Sequence, residues 1–429
     1  MAQRIIDHVA DDRNGFWEQY SRVRQTTEEL ARPLAVEDYG LQAVVDVSPP
    51  KWHLAHTSWF FETFVLMPDG HEPFHPAYAR LFNSYYETVG PFVARAMRGL
   101  LSRPTVKEIY QYRRAVDDGM ERFIHTADSD RFEKMIPVIV LGLHHEQQHQ
   151  ELLLTDIQYN FSINPLKPQY RPLGARPHGR QQPAQWRRFP GGLVSLGYGG
   201  DGFSFDNERP LHQEWLTPFS VLDRLITNRE YAAFIEDGGY ETATLWLSEG
   251  WNQVRGQGWR APLYWIEEDG AWRHYTLGGM KDLDAAAPVC HVSYFEADAF
   301  ARWAGKRLMR ESEWEIVAGP GPDESANFLS AAWLEPIPAS EAGEESGLRQ
   351  MFGDVWEWTQ SAYSPYPGYR PESGALGEYN GKFMMGQYVL RGGSCVTPEG
   401  HIRPTYRNFF PPDARWQFSG IRLASDADE

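Results

Sequence analysis

The chain changes texture abruptly near residue 162, and that break calls for two separate cores. Before it, apolar residues recur at three- and four-residue spacing, glycines are few and prolines mark the breaks. This pattern predicts helices over roughly 13–31, 50–66, 104–126 and 130–159. Four such helices suggest a bundle. After Pro190 the period is lost: glycine pairs recur, Gly191-Gly192 and Gly392-Gly393 among them, and short aromatic strands alternate with polar loops. Only 228–237 and 294–304 still read as helices, which predicts a single loop-rich α+β domain. The stretch between, NPLKPQYRPLGARPHGRQQPAQWRRF, is rich in Pro, Arg and Gln and poor in aliphatics, as linkers are. The expected organisation is multidomain, α and α+β: a four-helix bundle over 1–163, a linker over 164–189 and a second domain over 190–429. With 429 residues, each domain can bury its own core.

Charge narrows the function. Against 58 Asp+Glu stand 41 Lys+Arg, a net charge of −17, which disfavours nucleic acid and anionic membranes as partners. No stretch approaches the roughly 20 apolar residues that span a bilayer. The opening MAQRIIDHVADDRNGFWEQY carries acidic residues and no continuous apolar segment, unlike a secretory signal. A cytoplasmic protein is expected. Two cysteines, Cys290 and Cys395, are too few for a disulfide framework or a four-thiolate zinc site.

The sharpest local signal is LGLHHEQQHQE (141–151). His145 and His149, four apart on a helix, diverge by only about 40° and can grip one metal ion, whereas His144 points about 100° away. A solvated polar helix face is the competing reading. In PKWHLAHTSWFFE (50–62), His53 and His56 lie on an apolar helix and can face the same core. Three neutral imidazoles leave coordination positions open and suit zinc, iron(II) or copper. Residues 145–149 also spell His-Glu-x-x-His, the zinc-protease pattern in which Glu146 would be a general base.

These segments resemble a known family. Those around His56 and the His-x-x-x-His-x-Glu of His145, His149 and Glu151 look like the DinB-type bundle of ergothioneine-biosynthetic sulfoxide synthases. The second half resembles the formylglycine-generating-enzyme (sulfatase-modifying-factor) fold, a C-type lectin variant. The matching stretches are ITNREYAAFIEDGGY (226–240), HVSYFEADAFARWAGKRL (291–308), GDVWEWT (353–359) and LRGGSC (390–395). Formylglycine-generating enzymes use a cysteine pair after that last motif; here Val396 to Arg403 contain none, so only the fold carries over.

The resemblance implies an oxidoreductase holding non-heme iron(II) with His56, His145 and His149. It would join the sulfur of cysteine or γ-glutamylcysteine to the imidazole of N-α-trimethylhistidine (hercynine), using dioxygen. It further implies a substrate contact from Gln148 and, in RNFF (407–410), hercynine contacts from Asn408 and Phe409. Members that prefer γ-glutamylcysteine can carry an acidic residue where this chain has Phe410, which leans the reading toward free cysteine. Tyr85 and Tyr86, in a break between helices, are candidate proton donors; Arg95 and Arg98 are candidate clamps for a carboxylate. Phe409, Trp416 and Phe418 could wall a quaternary ammonium. Relatives acting on unmethylated histidine or a selenium donor, and a lectin-like binding module with a structural metal, are the alternatives. A site between bundle and second domain is expected.

Overall fold

The computed structural model describes residues 12–177, 183–340 and 347–426; the N-terminal stretch read for a secretory signal, and residues 178–182 of the expected linker, lie largely or wholly outside them. The chain forms two compact units. Of the described residues, the first comprises 12–171 together with two later segments, 200–205 and 372–379; the second takes the others.

In the first unit α1 (Arg13–Ala31), α2 (Pro50–Phe61), α4 (Val106–Thr126) and α5 (Ser129–Ser162) follow the predicted periodicity, while the short α3 (Tyr78–Phe82) lies outside it. Their ends carry the expected chemistry. Pro50 opens α2, Thr105 and Glu108 form a reciprocal capping box at α4, and Asp128 caps α5. The predicted helix over 50–66 is two elements, because Glu62–Leu66 winds as a π-turn with Met67 N–H bonded to Glu62 O. The turn points the buried Glu62 carboxylate at Tyr112 Oη (2.6 Å) and Phe74 N (2.7 Å).

Helix α2 packs on α4 and α5, and Gly142 lets α5 come close: a Cβ there would sit 2.6 Å from Phe61 and 2.9 Å from Phe60. Across the bundle runs a buried ion-pair network. Glu146 accepts from Arg24 (2.7 Å), Arg113 (3.0 Å) and Thr27 (2.7 Å).

Among the described residues, the second unit holds two four-stranded sheets. One orders Trp186–Phe189, Phe219–Leu222, Leu423–Asp426 and Arg307–Leu308; the other orders Asn408–Phe410, Tyr388–Arg391, Trp356–Ala362 and Ser419–Gly420. A two-stranded and a three-stranded sheet complete it. The loops are tied by buried arginine–carboxylate pairs, Arg422 to Glu357 (2.9 Å) and Arg407 to Glu311 (2.8 Å). Helices at Asn228–Glu236 and Tyr294–Trp303 match the reading, while Ser248–Gln257 and Glu311–Val317 were not anticipated. Cys290 and Cys395 are buried and form no disulfide.

Burial makes this unit acid-sensitive. It lowers the pKa of His274 to about 4, of His291 to about 3, and of His401 well below the ordinary value. Unfolding lets all three take up protons near pH 6.5, so their contribution to stability is present above that pH and declines as pH falls below it. Asp354, raised by burial to about 6, and Asp298, raised likewise, act in the opposite sense. Glu230, held below the usual carboxylate range against the effect of burial by its bonds to Arg224 and Thr227, adds to the loss, so on balance this unit loses stability as pH falls below about 6. The urea midpoint of this unit is expected to be lower at pH 5 than at pH 7; an equal or higher midpoint contradicts this.

Candidate metal centre

Helix α2 presents His56 and helix α5 presents His145 and His149, one turn apart, to a common point. One ring nitrogen of each lies within 4.8 Å of the others, and all three side chains are buried. The His56 ring is sandwiched between Trp52 (centroids 4.5 Å, interplanar 14°) and Trp59 (5.4 Å, 15°), which fixes its plane. Its Nδ1 lies 2.6 Å from the carbonyl oxygen of Phe82. A carbonyl only accepts, so Nδ1 carries the proton and Nε2 keeps its lone pair. His145 packs against Phe60 (4.9 Å), and its buried Nδ1 has no hydrogen-bond partner among the described residues.

Burial first, then the neighbouring imidazoles, depresses the pKa of His56 and His149 well below the ordinary value; burial takes His145 to about 3. All three are therefore neutral at pH 7, as metal ligands must be. Three neutral imidazoles, an orphaned ring nitrogen and a tautomer set by Phe82 fit a divalent metal ion. Neither Glu151 nor His144 belongs to the group. The His144 ring instead stacks on Phe203 at 4.1 Å, as its direction on the helix leads one to expect.

Glu146 does not fit a general base. Burial alone would raise its carboxyl pKa, but Arg24 and Arg113 outweigh that and hold it below the usual range. Both oxygens are engaged by these arginines and Thr27, so the zinc-protease spelling here is a structural ion pair.

The other predicted residues fall in several places. Tyr85 stacks on the buried Tyr86 (4.7 Å), which also packs on Trp59 and Phe64. Their loop is pinned by Asn83, whose side chain bonds Tyr86 O, Tyr86 N and Gly90 O. Arg95 is exposed and donates to Asp46 O. Arg98 is buried, lies 3.5 Å over the Trp52 ring and donates to Ser48 Oγ (3.0 Å). Burial, then Arg95, lowers its pKa to about 9, and its Nε has no hydrogen-bond partner among the described residues. In the second unit, Asn408–Phe410 forms an edge strand. There Phe409 stacks on Tyr363 (4.1 Å) and Phe410 meets Trp416 (6.1 Å).

Sequence reasoning missed one residue at the centre. Tyr379, from the 372–379 segment, donates its hydroxyl to Gln148 Oε1 and sets its ring 5.7 Å from His145. Glu378 anchors that segment by accepting from Glu87 N, Thr88 N and Thr88 Oγ1. No spacing pattern links positions 231 residues apart.

Comparisons with known proteins agree with the two textures. Residues 19–153 match the DinB superfamily, and residues 175–427 match the sulfatase-modifying factor enzyme 1-like domain. A buried three-histidine group on such a bundle, with Glu146 tied up in an ion pair, fits a metal enzyme and not a His-Glu-x-x-His peptidase. The chain is 33% identical over 415 residues to hercynine oxygenase from Mycolicibacterium thermoresistibile, covering 89% of this chain and 88% of that protein. It is 34% identical to the Mycobacterium tuberculosis enzyme of the same name over 70% of this chain and 72% of that one. Formylglycine-generating enzyme from Streptomyces coelicolor is 31% identical over 56% of this chain and 89% of its own length. The chain belongs to the hercynine oxygenase family and is an enzyme. Among the described residues, no helix is long and apolar enough to cross a membrane.

Proposed function

We propose that this enzyme is a non-heme iron(II) sulfoxide synthase that joins the sulfur of cysteine, or of γ-glutamylcysteine, to the imidazole carbon of hercynine with dioxygen as oxidant, a step of ergothioneine biosynthesis. The observation that carries this reading is the buried, neutral group of His56, His145 and His149 in a chain of the hercynine oxygenase family. The balance is simple. One C–H and one S–H are lost, a C–S bond forms, one oxygen atom ends on sulfur, and the other leaves as water with the two hydrogens. Bound at the three imidazoles, iron(II) would supply open positions for thiolate and dioxygen and would relay to oxygen the four electrons given up by the coupling carbon and sulfur and by sulfur's oxidation.

The chain's own residues then divide the remaining work. The Gln148 amide offers polar contacts to a substrate imidazole. Arg98, buried with Nε uncommitted and backed by the Trp52 face, is suited to a carboxylate of the thiol substrate, since an anion there would complete its hydrogen bonds. Arg95, held on Asp46 O, is assigned a supporting charge only. Asn408, Phe409 and Phe410 remain the proposed contacts for the trimethylammonium end of hercynine, where ring faces attract a fixed positive charge. The absence of an acid at Phe410 favours cysteine as the thiol.

Tyr379 is better placed than Tyr85 or Tyr86 to hand over the proton needed as dioxygen is reduced, because its hydroxyl sits on Gln148 beside His145. Tyr379→Phe is expected to lower sulfoxide formation by about 10²-fold, the usual worth of a positioned acid, and to raise the share of thiol oxidised without coupling. Mass spectrometry of both products checks this; an unchanged product ratio and rate would return the role to Tyr85 or Tyr86.

A further inference from the structure

The third histidine, His149, is held differently from His56. Its Nδ1 lies 2.8 Å from Nδ1 of His53, and Nε2 of His53 lies 3.0 Å from Oδ2 of Asp156. Both His53 and Asp156 are 2% exposed, so water does not compete for these bonds. Two ring nitrogens facing each other require one donor and one acceptor, and Asp156 decides which is which. Its Oδ2 also accepts the backbone N–H of Ser48 at 2.7 Å. An amide N–H can only donate, so that oxygen is an acceptor. His53 Nε2 therefore carries a proton; His149, whose Nδ1 faces His53, has only Nε2 to offer the three-histidine group, so its Nδ1 carries its proton and His53 Nδ1 accepts. The Nε2 lone pair of His149 is thereby left for a metal.

We infer that His53 and Asp156 are positioning residues that set the ligating tautomer and ring plane of His149. The inference rests on the three-histidine metal reading and goes beyond it by adding two residues that touch neither metal nor substrate. Both His53 nitrogens are engaged, one by Asp156 and one by His149, and this explains why His53, buried one helical turn from His56, stays outside the metal-ligating group. The three ligands thus have three kinds of support: a backbone carbonyl for His56, ring packing for His145 and a histidine–carboxylate chain for His149. Outer-shell partners of this kind typically change metal affinity by on the order of 10–100-fold.

The test is cobalt(II) affinity of the full-length protein, measured by visible absorption in competition with a chelator, so that no turnover is needed. His53→Phe, which keeps a ring but no acceptor, should weaken binding by on the order of 10–100-fold. His53→Asn, whose Oδ1 replaces the accepting Nδ1, should recover most of it. Asp156→Asn, which can keep an oxygen toward Ser48 N–H and His53, should lose less than Asp156→Leu. Equal affinity of wild type and His53→Phe overturns the inference, as does His53→Asn binding no better than His53→Phe. Wild-type protein that binds no cobalt(II) would instead sink the metal-site reading itself. Should His53→Phe fail to fold, histidine-selective 15N NMR of the wild type gives an independent answer. A proton on Nε2 of His53 and on Nδ1 of His149 is expected, and the reverse pair overturns the inference.

Discussion

His149→Ala is expected to weaken metal binding by on the order of 10²–10³-fold and to abolish sulfoxide formation while leaving the bundle folded. Zinc sites with four protein ligands bind with an apparent 10–16 kcal/mol, so one ligand is worth about 3–4 kcal/mol, or on the order of 10²–10³-fold in affinity. Alanine is the best helix former, and position 149 lies well inside Ser129–Ser162, so the helix itself is not weakened. Adding iron(II) under nitrogen should therefore raise the melting temperature of wild type, through preferential binding to the native state, and leave that of the variant unchanged. A variant that still gains stability from iron(II) would remove His149 from the ligand set.

The second large effect is at Glu146 and has the opposite character. Replacing it by leucine takes from Arg24 and Arg113, 3% and 0% exposed, the one fully buried carboxylate they share, leaving Arg24 only the half-buried Asp117 (2.7 Å) and Arg113 only Glu28 (3.3 Å). Breaking a buried pair by removing one partner costs about 3–5 kcal/mol. Urea unfolding should show that loss in the helical unit, whereas Glu146→Gln, which keeps hydrogen bonding, should lose less. Metal affinity per folded molecule should change little. A peptidase reading of residues 145–149 makes the reverse prediction: hydrolysis lost with stability kept.

The contrast between His149 and Glu146 shows what local sequence can convey. Helix positions were readable because apolar spacing and the breaks at prolines are encoded within a few residues. The same holds for the i, i+4 pairing of His145 and His149. The role of Glu146 was not readable, since its arginines come from α1 and α4. Nor was the π-turn at Glu62–Leu66, which interrupts a helix that the apolar pattern continues. The pairing of His149 with His53 spans 96 residues and that of Gln148 with Tyr379 spans 231. Arg95 and Arg98 looked equivalent in sequence; only packing buries one on Trp52 and leaves the other in solvent. In the second half the glycine-rich texture hid the helices Ser248–Gln257 and Glu311–Val317, because loops held by buried arginine–carboxylate pairs need no apolar period.

The central claim is that the three-histidine group directs oxidative carbon–sulfur coupling. Its most direct measurement is mass spectrometry of anaerobically purified, iron(II)-loaded protein given hercynine, cysteine and dioxygen, with γ-glutamylcysteine, histidine and a selenium donor in parallel. A sulfoxide of hercynine and cysteine, one oxygen atom heavier than the coupled thioether, is expected, and none without iron(II) or dioxygen. No coupled product from hercynine with either thiol, in protein shown to hold one iron per chain, would contradict it.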